Sequence, residues 1–164
     1  MSLDLEAIEL CKQLKHRYFR FLDAGDIAGL KATLMPDVSI RYEGATYLAE
    51  YSNRDDFLAF IKQSFHADAV AMHNGHHPEI YVNGNEAEGV WYLNDEFYDL
   101  KHKVMTRGAS IYRDKYVRQA DGTWLIAHSG YKRIWELVEK IEGDMRFTYR
   151  HLKAQAEAGE TISI

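Results

Sequence analysis

The stretch AEGVWYLNDEFY, residues 87–98, decides the fold of this chain. Its side chains alternate between two faces, and one face is apolar apart from a single carboxylate, which is the pattern of a half-buried β-strand. That face consists of Ala87, Gly89, Trp91, Leu93, Asp95 and Phe97. Asn83-Gly84 precedes the stretch and favours a tight hairpin turn, because both turn residues can take positive φ. The pattern predicts a long antiparallel strand that is entered from a hairpin.

Similar segments on either side extend the predicted sheet. Strands are predicted over residues 38–42, 47–51, 79–82, 106–118 and 124–133. Asp121-Gly122 separates the last two and again favours a hairpin. Alternation in the last strand places Tyr131 and Arg133 on one face, and Trp124 and His128 on the opposite face.

Three segments, all before residue 66, show the three- and four-residue apolar spacing of amphipathic helices. They span residues 3–24, 27–34 and 54–65. Ser2, Asp26 and Asn53 would cap their N-termini, while Gly25 and Pro36 would end the first two.

Helices followed by an antiparallel meander predict an α+β fold with the helices on one side of the sheet. Long hairpins twist and curl, so a helix packed in the concave side leaves a pocket at the open end. Residues 134–141 are predicted to add a short helix. We assign residues 1–145 to one α+β barrel domain and residues 146–164 to a partly ordered C-terminal tail.

Composition excludes several classes of protein. The 164 residues carry a formal net charge of −5 without a long basic run, which disfavours nucleic-acid binding. Cys11 is the only cysteine, which excludes an intramolecular disulfide and a cysteine-rich zinc site, and its apolar neighbours predict a core residue. The acidic N-terminus does not resemble a signal peptide, and no apolar stretch reaches membrane-spanning length. We expect a cytoplasmic protein without membrane or nucleic-acid partners.

Titratable groups concentrate in MHNGHHPE, residues 72–79. A histidine such as His73 is the natural general base near neutral pH. His73 and His76 also have a spacing that could hold a metal ion, but Gly75 and Pro78 indicate a loop or strand entry rather than the helix of an HExxH zinc site. We therefore predict no metal ion here.

Three further charged residues occupy unusual places. Asp95 is the lone carboxylate on an apolar strand face, where it needs either a partner, such as a salt bridge, or a function. Asp23 lies near a predicted helix C-terminus, where the helix dipole would make a carboxylate more basic. Tyr18 lies on the apolar stripe of that helix, about 140° around it from Asp23. Arg133 could bind an anion or polarise a carbonyl, or lie on the surface.

These residues resemble the SnoaL-like part of the nuclear transport factor 2-like superfamily, nearest to its bile acid dehydratase and scytalone dehydratase branch. The resemblance is carried by LKHRYFRFLDAGD (14–26), MHNGH (72–76), WYL (91–93) and YRDKY (112–116), followed by Trp124. It covers roughly residues 5–136 and implies a cone-shaped fold, in which a long helix is held in a curled antiparallel sheet. Cofactors are not implied.

The same resemblance implies a catalytic group and a reaction. The catalytic residues of the branch fall on Tyr18, Asp23, His73, Asp95 and Arg133. Candidates for substrate binding are Tyr47, Trp91, Tyr112 and Tyr131. The expected function is a cofactor-independent lyase, a dehydratase acting on a small hydrophobic cyclic hydroxy-ketone, and the protein is expected to form a homo-oligomer, either a dimer or a trimer. A ketosteroid-isomerase-like or cyclase-like isomerase, a non-catalytic small-molecule-binding or dimerisation module, and the small subunit of a ring-hydroxylating oxygenase remain open alternatives.

Overall fold

The computed structural model describes residues 3–162, and within that range the chain forms four α-helices and six β-strands. The helices are α1 (Leu5–Ala24), α2 (Ile27–Lys31), α3 (Arg54–Ser64) and α4 (His151–Ala158). The strands are β1 (Leu34–Glu43), β2 (Leu48–Tyr51), β3 (Ala69–Asn83), β4 (Glu86–Asp99), β5 (Val104–Arg118) and β6 (Trp124–Lys140).

All six strands join one sheet, in the order β2-β1-β6-β5-β4-β3. Neighbouring strands run antiparallel except for β1 and β6, which pair in parallel. The long β3–β6 strands curl around α1, because extended hairpins twist. The predicted α+β fold, with N-terminal helices packed in a strongly curved sheet, is confirmed, and the parallel β1–β6 pair is an addition to it.

Helix α1 lies against the concave face of the sheet, and its Phe19 packs against Gly75 of β3. The predicted core residue Cys11 is fully buried on this helix. A side chain at Gly75 would collide with the ring of Phe19, so only glycine lets the strand approach α1 this closely. This contact brings the middle of β3 beside the C-terminal end of α1.

The ends of α1 agree only in part with the sequence pattern. Ser2, the predicted cap, lies outside the described residues, and Asp4 caps the helix instead, with Oδ1 accepting from the Ala7 backbone N–H at 3.0 Å. Gly25 ends α1 as predicted, in a left-handed conformation with φ of 64°.

Helix α2 is shorter than predicted. Asp26 caps it as expected, but the helix ends at Lys31 rather than at residue 34. Pro36 lies inside β1, where the pairing with β6 is interrupted between Leu34 and Ser39. A proline lacks the N–H that a ladder needs, so it fits this interruption.

Strand β3 is much longer than the predicted segment 79–82, because residues 69–76 also pair with β4. A bulge between His76 and Glu79 contains Pro78, and His77 there has a positive φ of 49°. The signals that predict a loop or a strand entry thus mark a bulge within a continuous strand.

Two predictions for β6 are wrong. Residues 134–140 form a strand rather than the short helix predicted over residues 134–141, because β5 offers backbone partners with which Leu137 and its neighbours pair. Trp124 lies inside the core, 5% exposed, on the same side as Tyr131, because a bulge at Ala127 shifts the alternation by one residue.

The C-terminal tail contains α4, which the sequence pattern does not predict. Leu152 is buried against Gly25, and the side-chain amide of Gln155 donates to the backbone carbonyl of Ala24. The tail is therefore attached to the end of α1. The division into residues 1–145 and 146–164 stays a prediction.

Candidate active site

A cavity of about 250 Å³ opens between α1, α3 and the concave face of the sheet. Its apolar lining comes from Leu22, Ala49, Phe60, Ile61, Phe65 and Phe97. Its polar lining comes from Tyr42, Tyr47, Ser64, His73, Asp95, Thr106, Tyr112, Tyr131 and Arg133. The combination suits a small, mainly apolar molecule that carries oxygen atoms.

His73 on β3 is fixed by Asp23 at the end of α1. One carboxylate oxygen accepts from the His73 backbone N–H at 2.8 Å, and the other lies 2.6 Å from ring atom Nδ1. Because a carboxylate only accepts, Nδ1 carries the proton and Nε2 is left as the basic nitrogen. The ring lies between Phe19 and Phe65, with centroid distances of 6.3 and 6.1 Å. The pair has the geometry of a histidine base oriented by a carboxylate.

Asp95 and Arg133 form a bidentate ion pair on the sheet wall. Arg133 donates to both carboxylate oxygens, with Nη2 2.9 Å from Oδ2, and the two side chains are 8% and 6% exposed. Asp95 lies directly opposite His73 in the β3–β4 ladder. Burial alone would lower the pKa of Arg133, but the hydrogen bonds and charge of Asp95 outweigh it and raise that pKa. Arg133 is therefore a permanent cation in the cavity wall.

Arg133 also organises two tyrosines. Its Nε donates to the Tyr47 hydroxyl at 3.1 Å, and that hydroxyl lies 2.5 Å from the Tyr131 hydroxyl. Its Nη1 additionally reaches Ser110 Oγ at 3.4 Å, and its Nε lies 3.4 Å from Glu136 Oε2. One N–H of Nη2 is left without a hydrogen-bond partner within residues 3–162.

Tyr18 is placed behind the cavity wall rather than in it. It is fully buried, and its hydroxyl lies 2.5 Å from that of Tyr42, which does line the cavity. Tyr42 is not among the predicted site residues, although the alternation of Val38, Ile40 and Tyr42 in β1 puts it on the inner face. That alternation is the signal that could have identified it.

The other predicted tyrosines line the cavity, but Trp91 does not. Tyr47, Tyr112 and Tyr131 all contribute to the lining. Trp91 is fully buried in the core, where Nε1 donates to the Tyr116 hydroxyl at 2.9 Å. The structure thus brings His73, Asp95 and Arg133 to one cavity, with Asp23 directly behind His73. The catalytic and binding roles of all these residues stay predictions.

A second buried ion pair, which the sequence analysis did not predict, lies deeper in the core. Lys15 of α1 and Asp114 of β5 approach to 2.9 Å, and both side chains are fully buried. Lys15 adjoins Leu14 on the apolar stripe of α1, and Asp114 alternates with Tyr112 and Tyr116 on β5. A lysine at such a position usually extends to solvent, so spacing alone does not identify the pair.

Two negative findings concern residues 3–162 only. No group of three or more His, Cys, Asp or Glu side chains in this range is arranged to hold a metal ion. No helix among the described residues has the length and apolarity to cross a membrane.

Comparison with known proteins shows the family to which the chain belongs. The model of the SnoaL-like domain matches residues 3–130. Similar solved structures include a putative scytalone dehydratase from Novosphingobium aromaticivorans, with a TM-score of 0.70 and 16% identity over 90% of this chain and 97% of that chain. A hexachlorocyclohexane dehydrochlorinase gives a TM-score of 0.72 and 12% identity, over 88% and 97% of the two chains.

The Kfla4162 protein of Kribbella flavida gives a TM-score of 0.72 and 17% identity, over 82% of this chain and 95% of that chain. Identities this low show a shared fold, and the fold is the cone that the resemblance implies. With the family model matching most of its length, the chain belongs to the SnoaL-like domain family.

Proposed function

We propose that the protein is a cofactor-independent lyase that removes water from a small hydrophobic cyclic hydroxy-ketone. The observation that carries the proposal is the His73–Asp23 pair, with Nδ1 2.6 Å from the carboxylate, at a cavity that also contains tyrosine hydroxyls and a fixed cation. A base and groups that stabilise negative oxygen are what an elimination next to a carbonyl requires. Two of the structurally similar proteins are named as a dehydratase and a dehydrochlorinase, which supports an elimination.

His73 is the base in this proposal. Nε2 takes the proton from the carbon next to the substrate carbonyl, and the C–H electrons form the enolate. Asp23 holds the ring in the required tautomer through Nδ1 and stabilises the imidazolium that results. Asp23 also binds the backbone N–H of His73, so it fixes the position of the residue as well as its ring.

Tyr42 and Tyr131 are the donors to the enolate oxygen. Burial raises the pKa of Tyr42 to about 12 and raises that of Tyr131 further, so both phenols keep their protons at neutral pH and can donate them. Tyr18 contacts the site through Tyr42 and is therefore a positioning residue. A donor that is already oriented stabilises charge as it develops.

Departure of the hydroxyl completes the reaction. The C–O bond breaks as the enolate collapses to the conjugated ketone, and the leaving hydroxide takes the proton from His73 Nε2 and departs as water. The remaining N–H of Arg133 can donate to the leaving oxygen, while Asp95 holds the guanidinium in place. The substrate thus supplies every atom of the product and of the water.

The test is turnover of a panel of cyclic β-hydroxy-ketones, followed by mass spectrometry for the loss of one water. His73→Ala should lower the rate by roughly 100-fold or more. The matched control is His76→Ala, because this neighbour on β3 is exposed to solvent, and its rate should match wild type.

The same measurement separates the alternatives. A product of unchanged mass would indicate an isomerase, which also forms an enolate. A panel that binds without turnover, with affinities unaffected by His73→Ala, would indicate a binding module and contradict the proposal.

A further inference from the structure

The C-terminal helix α4 packs on the end of α1, where Asp23 lies. Leu152 and Gln155 are three residues apart and therefore share one face of α4. Leu152 is buried against Gly25, the residue that ends α1. The Gln155 side-chain amide donates to the backbone carbonyl of Ala24. Helix α1 is thus held at the residue that directly follows Asp23.

The bond from Gln155 satisfies a carbonyl at the end of α1. Ala24 carries one of the last four carbonyls of the helix, which have no partner inside it. The turn after the helix supplies backbone donors to Phe21 and Leu22. The donor to Ala24 comes instead from the tail. Gln155 is itself fixed, because its side-chain carbonyl accepts from the Ile162 backbone N–H at 3.0 Å.

The beginning of α4 is bound to the segment that leads into β3. Arg150, the residue before α4, donates from Nη1 to Asp68 Oδ1 at 2.9 Å and to the backbone carbonyl of Ala67 at 3.4 Å. The Arg150 side chain is 17% exposed, so it is largely shielded from water. Strand β3 begins at Ala69, and His73 follows on the same strand. The start of the strand that carries His73 is thus held by the same short segment as the end of α1.

The His73–Asp23 pair lies between two connections of α1 with β3. One is direct, where Phe19 packs against Gly75. The other runs through α4, which joins the end of α1 to the start of β3. Because the two side chains come from different elements, a shift of either element changes the 2.6 Å separation of Nδ1 and the carboxylate. A hydrogen bond weakens steeply when its geometry is lost.

We propose that Gln155 and Arg150 are positioning residues for the His73–Asp23 pair, which use α4 to hold the end of α1 against the start of β3. Neither residue lines the cavity, so they act on the pair rather than on the substrate. The proposal rests on the proposed function for its effect on the elimination rate. Without these bonds the end of α1 can move away from β3, and Nδ1 then loses the acceptor that fixes the tautomer.

The test uses four single variants of the full chain. Gln155→Met removes the bond to Ala24 at nearly constant volume, whereas Gln155→Lys keeps a donor beside the same carbonyl. Arg150→Met removes the contacts with the segment before β3. Lys153→Met is the matched control, because this lysine of α4 is 48% exposed and pairs with Glu157 of the same helix.

The first measurement is the proton NMR signal of His73 Nδ1, which is assigned by its loss in His73→Ala. A proton held by a carboxylate resonates at low field and is seen only while the bond protects it from exchange with water. Wild type and Lys153→Met should show this signal. Its exchange should be roughly fivefold faster in Gln155→Met and in Arg150→Met. Gln155→Lys should behave as wild type, since a cation is also favoured at a helix C-terminus.

The second measurement is the kinetics of elimination. Gln155→Met and Arg150→Met should lower kcat by about fivefold, because the base is correctly placed for less of the time. KM should stay within about twofold of wild type, since the cavity lining is unchanged. Urea unfolding of the same variants checks that each is folded under the conditions of the assay.

Three outcomes overturn the proposal. If the Nδ1 proton exchanges as in wild type in both Gln155→Met and Arg150→Met, α4 does not position the pair. If Gln155→Lys loses as much protection as Gln155→Met, the donor to Ala24 is not the cause. If kcat falls while the signal stays unchanged, the two residues act by another route than the pair.

Failure of the proposed function looks different. Faster exchange in the two variants, together with no elimination by wild type, would support the positioning of the pair and contradict the lyase. Should Gln155→Met not fold, Arg150→Met decides whether α4 positions the pair.

Discussion

Two histidine–aspartate pairs in this molecule have the same internal geometry and very different surroundings. In each, a carboxylate oxygen lies 2.6 Å from Nδ1 and the same carboxylate accepts the histidine's backbone N–H. His73 and Asp23 are 50 residues apart in sequence and border a cavity. His102 and Asp99 are three residues apart in an exposed turn, where the histidine side chain is 65% exposed.

The difference shows that the pair itself does not make a site. A three-residue separation lets His102 and Asp99 meet through a local turn, so this pair depends little on the rest of the fold. His73 and Asp23 meet only because β3 packs against α1. The buried pair thus belongs to the tertiary structure, and its histidine lines the cavity between α1, α3 and the sheet.

The largest expected difference between the two pairs appears in the elimination rate when the charge of each aspartate is removed in turn. Asp23→Asn should lower the elimination rate by roughly 100-fold or more, because an amide neither stabilises the imidazolium nor fixes the tautomer. Asp99→Asn should leave the rate within about twofold of wild type, since neither Asp99 nor His102 lines the cavity. Steady-state kinetics on the active hydroxy-ketone measures both, and equal losses would show that the two pairs do not differ in function.

The next largest effect on the elimination rate should come from disturbing the packing of β3 against α1, which positions only the buried pair. Gly75→Ala places a methyl group against Phe19, which should destabilise the protein by about 1–3 kcal/mol and displace His73 from Asp23. We expect the rate to fall by about tenfold. Asn74→Ala, on the other face of the same strand, is the control. Urea unfolding and steady-state kinetics are measured on both variants. A Gly75→Ala protein with the wild-type rate would show that the β3–α1 contact does not position His73 against Asp23.

Chemical modification should distinguish the two histidines directly. His102 should react faster with diethyl pyrocarbonate by about fivefold, the ratio of the exposed fractions 65% and 13%. Nitrobenzene bound in the cavity should protect His73 and leave His102 unchanged. Peptide mass spectrometry follows both residues in one sample, and equal protection would place the ligand elsewhere.

The same contrast explains what the sequence could predict. The alternation in β4 correctly places Asp95 on the inner face, and the helical spacing places Tyr18 in the core. Both patterns are local, so they report which face of an element is buried. They do not report which residues of different elements meet at the cavity. The patterns therefore could not show that Tyr42, rather than Tyr18, lines it.

Turn and helix signals in the sequence are misleading where backbone pairing with a neighbouring strand determines the structure. Gly75 and Pro78 indicate a loop or a strand entry, and the structure has a continuous strand with a bulge between His76 and Glu79. Residues 134–141 have weak helical spacing, and the open edge of β5 overrides it by supplying backbone partners. The Lys15–Asp114 pair could not be found because it joins positions 99 residues apart, and no periodicity links them.

The smallest expected effect concerns the stability of the exposed pair in acid. Burial would raise the pKa of Asp99, but the hydrogen bonds from His102 outweigh it and hold that pKa below its ordinary value of 3.8. A carboxyl group with a lowered pKa in the folded state stabilises the protein above its unfolded pKa, and this stabilisation is lost as the pH falls through the folded value.

Asp99→Asn should therefore destabilise the protein by about 0.2–1 kcal/mol near pH 6, as expected for an exposed pair, and by progressively less below about pH 4. Thermal unfolding of wild type and variant at both pH values measures this difference. Lys101→Ala in the same turn is the control, since it removes a neighbouring side chain and leaves both partners of the pair in place. A difference between wild type and Asp99→Asn that persists unchanged to about pH 2 would mean that the turn holds His102 by its shape rather than by charge. The exposed pair would then differ from the buried one in its physics as well as in its surroundings.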